Sequence, residues 1–131
     1  MTNAPYLLTK ARGGYRIGDG AVVDSMMSDG QTCTLEGCAM GEATERYAAE
    51  MGLAREPQDA FSAQSHERAA KAQKDGLLAD EIVPVSIPQR RGEPIQLTDD
   101  EGIRSDVDAA SLARLRAAFV ADGNITAGNA S

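Results

Sequence analysis

At 131 residues, 42% of them hydrophobic and with a formal net charge of −7, the chain has the size of one domain. Its field has the wrong sign for a general nucleic-acid or anionic-membrane binder, which neutralises phosphates with a basic surface. Twenty-two residues are alanine, five are Phe or Tyr and none is Trp, so the core buries little area per residue and part of the packing surface is expected to belong to something outside the chain. Cys33 and Cys38 lack a matching pair of His or Cys, which leaves a zinc site without ligands. They read as two reduced thiols packing as small hydrophobes. No apolar run reaches membrane-spanning length and no charged-then-apolar leader is present, so a soluble, cytoplasmic chain without membrane or nucleic-acid partners is expected.

Pro5 to Leu8 reads as a short extended apolar segment. Residues 15–17 and 21–23 are β-prone runs on either side of Gly18-Asp19-Gly20, a spacing that predicts a hairpin. Lys10, Arg12 and Arg16 make its rim basic, either as charges that protect an edge or as an interface arm or anion patch. A first helix is predicted over 41–53, with Ala43, Tyr47, Ala48 and Met51 facing inward and a stop at Gly52-Leu53.

The longest element is predicted over 54–78. Pro57 is tolerated in a first turn, Glu56 and Asp59 suit the positive end of the dipole, and Gly76 followed by Leu77 closes the helix. Phe61, Ser65, Ala69 and Ala72 make its close-packing face. Next, Val83, Val85 and Ile87 alternate with Pro84, Ser86 and Pro88, an edge-strand pattern that returns on Ile95 and Leu97 as a second hairpin. Asp108 is the expected N-cap of a third helix with a stripe of Leu112, Leu115 and Phe119, ended at Asp122-Gly123. Residues 124–131, small and polar, read as a frayed tail. The fold class is therefore α+β, a small helical module of about three helices with two β-hairpins.

The residues supply little chemistry of their own. His66, the lone histidine, sits mid-helix among polar residues and reads as a surface side chain, so no nucleophile has a base. The carboxylates scatter over caps and turns and form no acid–base pair. Phosphate-loop and dinucleotide glycine patterns are absent. No catalytic residue and no metal ligand set emerge, and what is left is one candidate anion site, where Arg104 precedes the N-terminus of the third helix.

The stretches NAPYLL, ARGGYRIGDGAVVDSMM, DGQTC, CAMG, REPQDAF, EIVPV, LARLRAAF and TAGNAS follow one another as they do in the thiolases of the acetyl-CoA acetyltransferase type, and the chain resembles that family over its whole length. The resemblance implies that residues 1–131 form a single partial domain, the loop domain inserted in the N-terminal half of the thiolase fold, which covers the active site and binds coenzyme A. It implies a substrate, acyl-CoA, and no covalently bound cofactor. Arg104 and Ser111 resemble positions that contact the adenine end of coenzyme A, with Leu115 one turn on. Ala127 and Ser131 resemble positions that meet the pantetheine arm, and Met40 resembles one that lines the acyl pocket. The hairpin at 12–23 resembles the arm by which two dimers join as a homotetramer.

The family's acylated cysteine lies upstream of this segment, and its asparagine, histidine and second cysteine lie downstream. Neither Cys33 nor Cys38 matches a catalytic position, so this chain alone is expected to be inactive, a piece of an enzyme of lipid metabolism that condenses or cleaves acyl-CoA through an acyl-cysteine. A stand-alone coenzyme A binder and an oligomerisation module are the alternatives. Two departures stand out. Ala39 replaces a histidine common in biosynthetic members, a loss of about 1 kcal/mol of hydrogen bonding to the cofactor. Ala54 and Pro57 replace a serine cap and a glutamate, removing a capping box worth about 1 kcal/mol.

Overall fold

The computed structural model describes residues 1–130, and its secondary structure is α+β: three α-helices and three two-stranded antiparallel ladders among the described residues. They fall into two compact units, residues 1–52 with 117–126, and residues 53–116 with the chain from 127 onward.

In the first unit, β1 (Tyr6–Leu7) pairs with β2 (Val23–Asp24), Tyr6 opposite Asp24 and Leu7 opposite Val23. The Ser25 N–H and Oγ both donate to the Pro5 carbonyl, at 3.2 and 2.6 Å, and lock the end of this ladder. The hairpin expected at 15–17 and 21–23 is therefore corrected. Those runs form no ladder with each other, and the pairing moves outward to strands separated by a long loop. Gly18, at φ 120, bends the chain where β pairing needs it extended. The Tyr15 ring occupies the space a side chain at residue 20 would need, so the loop is held by a ring on Gly20.

A wide helical turn, Met26–Gln31, begins with Asp24 accepting the Met26 N–H at 2.9 Å. It leads into β3 (Thr32–Cys33) and β4 (Cys38–Ala39), paired with Cys33 opposite Cys38. The first helix, α1 (Met40–Glu50), stops where predicted, with Gly52 at φ 66 and its N–H on the Ala49 carbonyl at 3.1 Å.

Its buried face differs from the expected one. Ala43 and Ala48 are inside, but Tyr47 and Met51 are exposed. The Tyr47 hydroxyl donates to Glu36 at 2.8 Å, which holds the ring on the surface. The third inward residue is Glu45, 6% exposed. Its carboxylate accepts the N–H groups of Asn124 at 2.9 Å and Ile125 at 2.7 Å. A bridge between Ala117 and Thr126, and an Ala118 N–H bond to the Ile125 carbonyl at 2.9 Å, complete this corner. Ile125 and Thr126 are buried, so the expected frayed tail is corrected for these residues: a buried carboxylate pins backbone that composition alone reads as loose.

In the second unit, α2 (Arg55–Lys74) runs for 20 residues. It ends with the Leu77 N–H on the Ala72 carbonyl at 3.0 Å and the Gly76 N–H on Gln73 at 3.1 Å, the paired bonds of a Schellman stop around a left-handed glycine. The expected packing face is only half right: Ala69 and Ala72 are half-buried, whereas Phe61 is 71% exposed and Ser65 faces solvent. The inward side carries Asp59, which is buried, with Ser62 and His66 half-buried along the same face. The second hairpin stands as expected, β5 (Val85–Ile87) on β6 (Ile95–Leu97), with Ile87 opposite Ile95. The last helix, α3 (Ala109–Ala113), is shorter than its apolar stripe predicts; Leu112 is buried, while Leu115 and Phe119 lie beyond its end and are exposed.

Candidate functional site

Arg104, Ser111, Leu115 and Ala127 all lie in the second unit, Met40 lies in the first, and Ser131 lies outside the described residues. Ser111 is on α3, Leu115 lies two residues past its end, and Ala127 is on the segment packed against them. A side chain at position 128 would meet Leu112 and Leu115, so the chain beside Ala127 passes close over α3, an approach that only glycine permits. Ala127 itself is exposed.

The fastening comes from the first turn of α2. Arg55 Nε donates to Asp59 Oδ2 at 2.6 Å, and Arg55 Nη2 donates to the carbonyls of Leu112 at 2.6 Å and Leu115 at 3.2 Å. The guanidinium thus adds a side-chain donor to the Leu112 carbonyl, which also accepts the Leu115 N–H at 2.9 Å, and reaches the Leu115 carbonyl just past the end of α3. The other oxygen of Asp59 accepts from Asn129 Nδ2 at 3.0 Å. Asp59 is 2% exposed. One ion pair therefore ties together the two segments that carry Leu115 and Ala127. From sequence Asp59 is only a helix-start charge, and nothing assigns Arg55 a role. Their partners stand more than 50 residues away, and only the spacing of four between them was visible.

Arg104 is exposed, and its N–H donates to His66 Nδ1 at 3.2 Å. His66 is thus half-buried and occupied, a correction to the solvent-facing histidine expected from its polar neighbours. An open groove of about 720 Å³ is lined by Lys71, Lys74, Asp75, Asp99, Ile103 and Ser105, the last two flanking Arg104 in sequence, while Arg104, Ser111, Leu115 and Ala127 are not among its lining residues. A smaller apolar cavity of about 290 Å³ lies between Gln73, Leu78, Ile82 and Pro84.

Ser111 stands at the third position of α3 in a reciprocal cap. Its N–H donates to Asp108 Oδ1 at 2.7 Å, its Oγ accepts the Asp108 N–H at 3.1 Å and donates to the Asp108 carbonyl at 2.7 Å. The backbone and hydroxyl bonds from Ser111 hold the Asp108 carboxyl below its ordinary range. The N–H that sequence reasoning left open to a phosphate is therefore already taken by a carboxylate, and a five-residue helix adds little dipole. Among the described residues, no three His, Cys, Asp or Glu side chains converge as a metal site, and no helix is long and apolar enough to cross a membrane.

A family model described as "Thiolase, N-terminal domain" matches residues 1–131. An acetyl-CoA acetyltransferase of Chromobacterium violaceum is 50% identical over 131 residues, which is all of this chain and 33% of that protein. A probable acetyl-CoA acetyltransferase of Mycolicibacterium smegmatis is also 50% identical, with 34% of its length covered. The solved acetyl-CoA acetyltransferase of Syntrophomonas wolfei superposes with a TM-score of 0.90 at 43% identity, over 99% of this chain and 32% of that one. The chain spans about a third of the length of the curated relatives it matches.

Proposed function

The chain belongs to the thiolase family, matching its N-terminal domain, and from that premise we propose that it is the loop-domain part of an acetyl-CoA acetyltransferase-type thiolase, the part that covers the active site and holds the coenzyme A moiety of an acyl-CoA. The complete enzyme condenses or thiolytically cleaves acyl-CoA through an acyl-cysteine outside this chain. Relatives that carry the name acetyl-CoA acetyltransferase at 50% identity support the substrate class.

The observation that carries the reading is the ion pair Arg55–Asp59, which braces the end of α3 and the 127–129 segment against each other. A groove for a long, flexible thioester needs walls that do not move when the ligand enters. Arg104 supplies positive charge for the phosphates, and Leu115 supplies an exposed apolar flank for the adenine. Ser111 contributes from the side of its capped turn and not through an open helix end. Ala127 offers backbone to the pantetheine arm, with Ser131 beyond it. Met40, half exposed at the start of α1, lines the acyl end. The loop between β1 and β2, with Ile17 fully exposed and Arg12 and Arg16 on it, joins dimers into a homotetramer.

Isothermal titration of coenzyme A into the chain tests the reading. Measurable binding is expected, weakened roughly tenfold by Arg104→Ala, the loss of about 1.4 kcal/mol. A flat titration of the folded wild-type chain overturns it. Sedimentation tests the assembly surface: replacing Arg12 and Arg16 together with Gln is expected to abolish self-association, and an unchanged profile counts against that role.

A further inference from the structure

Cys33 and Cys38 stand directly opposite one another across the β3–β4 ladder. Residues opposed in an antiparallel pair point to the same face, with Cα atoms about 4.5–5.5 Å apart, inside the separation of about 4.4–6.8 Å that a disulfide spans. Both sulfurs are free and half-buried, while the connecting loop, residues 34–37, is exposed, with Leu35 at 95%. The pair is therefore within reach of solvent and of each other. The two sulfurs differ in surroundings: Arg46 Nη2 donates to Cys38 Sγ at 3.1 Å and to Glu36 at 2.8 Å.

We propose that Cys33 and Cys38 form a reversible dithiol–disulfide modification site, with Cys38 the sulfur that attacks first. The oxidant is a low-molecular-weight disulfide. Cys38 releases its proton to solvent, and its thiolate attacks one sulfur of the oxidant, breaking the S–S bond and expelling one small thiolate. Cys33, deprotonated in turn, attacks the Cys38 sulfur of that mixed disulfide and expels the second. Two protein thiols are oxidised, one small disulfide is reduced to two thiols, and no other reactant is needed.

Arg46 stands where a fixed positive charge supports the attacking sulfur. The guanidinium proton is itself held more firmly than usual, chiefly by neighbouring Cys38 and also by Glu36. Closing so short a loop restricts the unfolded chain little, so the bridge opens again when reductant returns, the behaviour of a switch and not of a structural clamp. Cys38 sits two residues before Met40, where α1 begins.

The test equilibrates the full reduced chain with graded mixtures of oxidised and reduced glutathione, traps free thiols with iodoacetamide and reads intact mass and peptide maps. The expected product is a monomer lighter by two hydrogen atoms, with Cys33 joined to Cys38, returned to the dithiol by dithiothreitol. Cys33→Ser is expected to stop at a glutathione adduct on Cys38, and Arg46→Gln to slow adduct formation several-fold. Thiols that stay fully alkylated at every ratio overturn the proposal, as do bridges found only between chains. An adduct that forms faster on Cys33 in Cys38→Ser than on Cys38 in Cys33→Ser overturns the assigned order of attack.

Discussion

Asp59 and Glu45 are carboxylates withdrawn from water in an aqueous protein, and each does by hydrogen bonding what a larger hydrophobic core does by area. Glu45 accepts two backbone N–H groups from a segment some 80 residues further on. Removing a buried acceptor leaves its donors with their desolvation penalty, about 1–3 kcal/mol for each group. Glu45→Ala is therefore expected to destabilise the first unit by about 2–6 kcal/mol, read as a lowered urea midpoint. Glu45→Gln keeps one acceptor oxygen and should fall between the two. Asp59→Ala strands Arg55 beside an empty partner position, a loss of about 3–5 kcal/mol for a buried pair. It also removes the bond to Asn129, so on the proposed function coenzyme A binding should weaken in this variant even where circular dichroism finds the helices intact. Neither role was legible in the sequence. A Glu or Asp on a helix looks the same whether it caps, solvates or anchors, and what distinguishes them here are backbone partners that only folding brings near.

The elements themselves were far more legible, because local chemistry determines where they begin and end. Glycines at 52 and 76 mark both stops, and both adopt the left-handed conformation the stop requires. No neighbour lies within 4 Å of a Cβ built at Gly76, so Gly76→Ala carries only the backbone cost of a left-handed L-residue, about 1–2 kcal/mol, measurable by thermal melting. At the other end of α2, Ala54 already has the extended conformation of an N-cap, φ −75 and ψ 164, without a side chain to use it. Ala54→Ser is expected to raise stability by about 1 kcal/mol. The start of α3 is capped, and that cap is acid-labile. A carboxyl held below its ordinary value of 3.8 adds stability that is fully present above that value and is lost as pH falls through the lower, folded one. Amide exchange at Ser111 should thus stay slow down to about pH 4 and quicken only below it. The first hairpin differs from its sequence pattern for a corresponding reason. Its true pairing joins Tyr6–Leu7 to Val23–Asp24, and no turn signal at residues 18–20 reports on strands so far apart.

At the scale of the whole molecule, composition indicated a thin core but not which faces stay bare. Ala43, Ala48, Leu112 and Ile125 are its buried hydrophobics among the described residues, while Phe61, Leu77, Val83 and Ile95 are exposed in the second unit and Tyr6, Val22 and Leu35 in the first. Periodicity assumes that an apolar face meets another part of the same chain. Where the chain itself brings nothing against that face, as for Phe61 on α2, the predicted inward face comes out exposed, and the residues that do turn inward are polar ones tied to backbone. Exposed apolar surface on this scale marks contact with another protein surface, and the relatives are about three times as long as this chain. If the remaining thiolase segments cover these faces, the chain alone should bind an anilinonaphthalene dye strongly. Supplying those segments in trans should then remove the dye and raise the melting temperature with the logarithm of their concentration, as any partner that binds only the folded state must. Dye binding that persists unchanged at saturating partner would mean that Phe61 and its neighbours face solvent in the assembled enzyme as well.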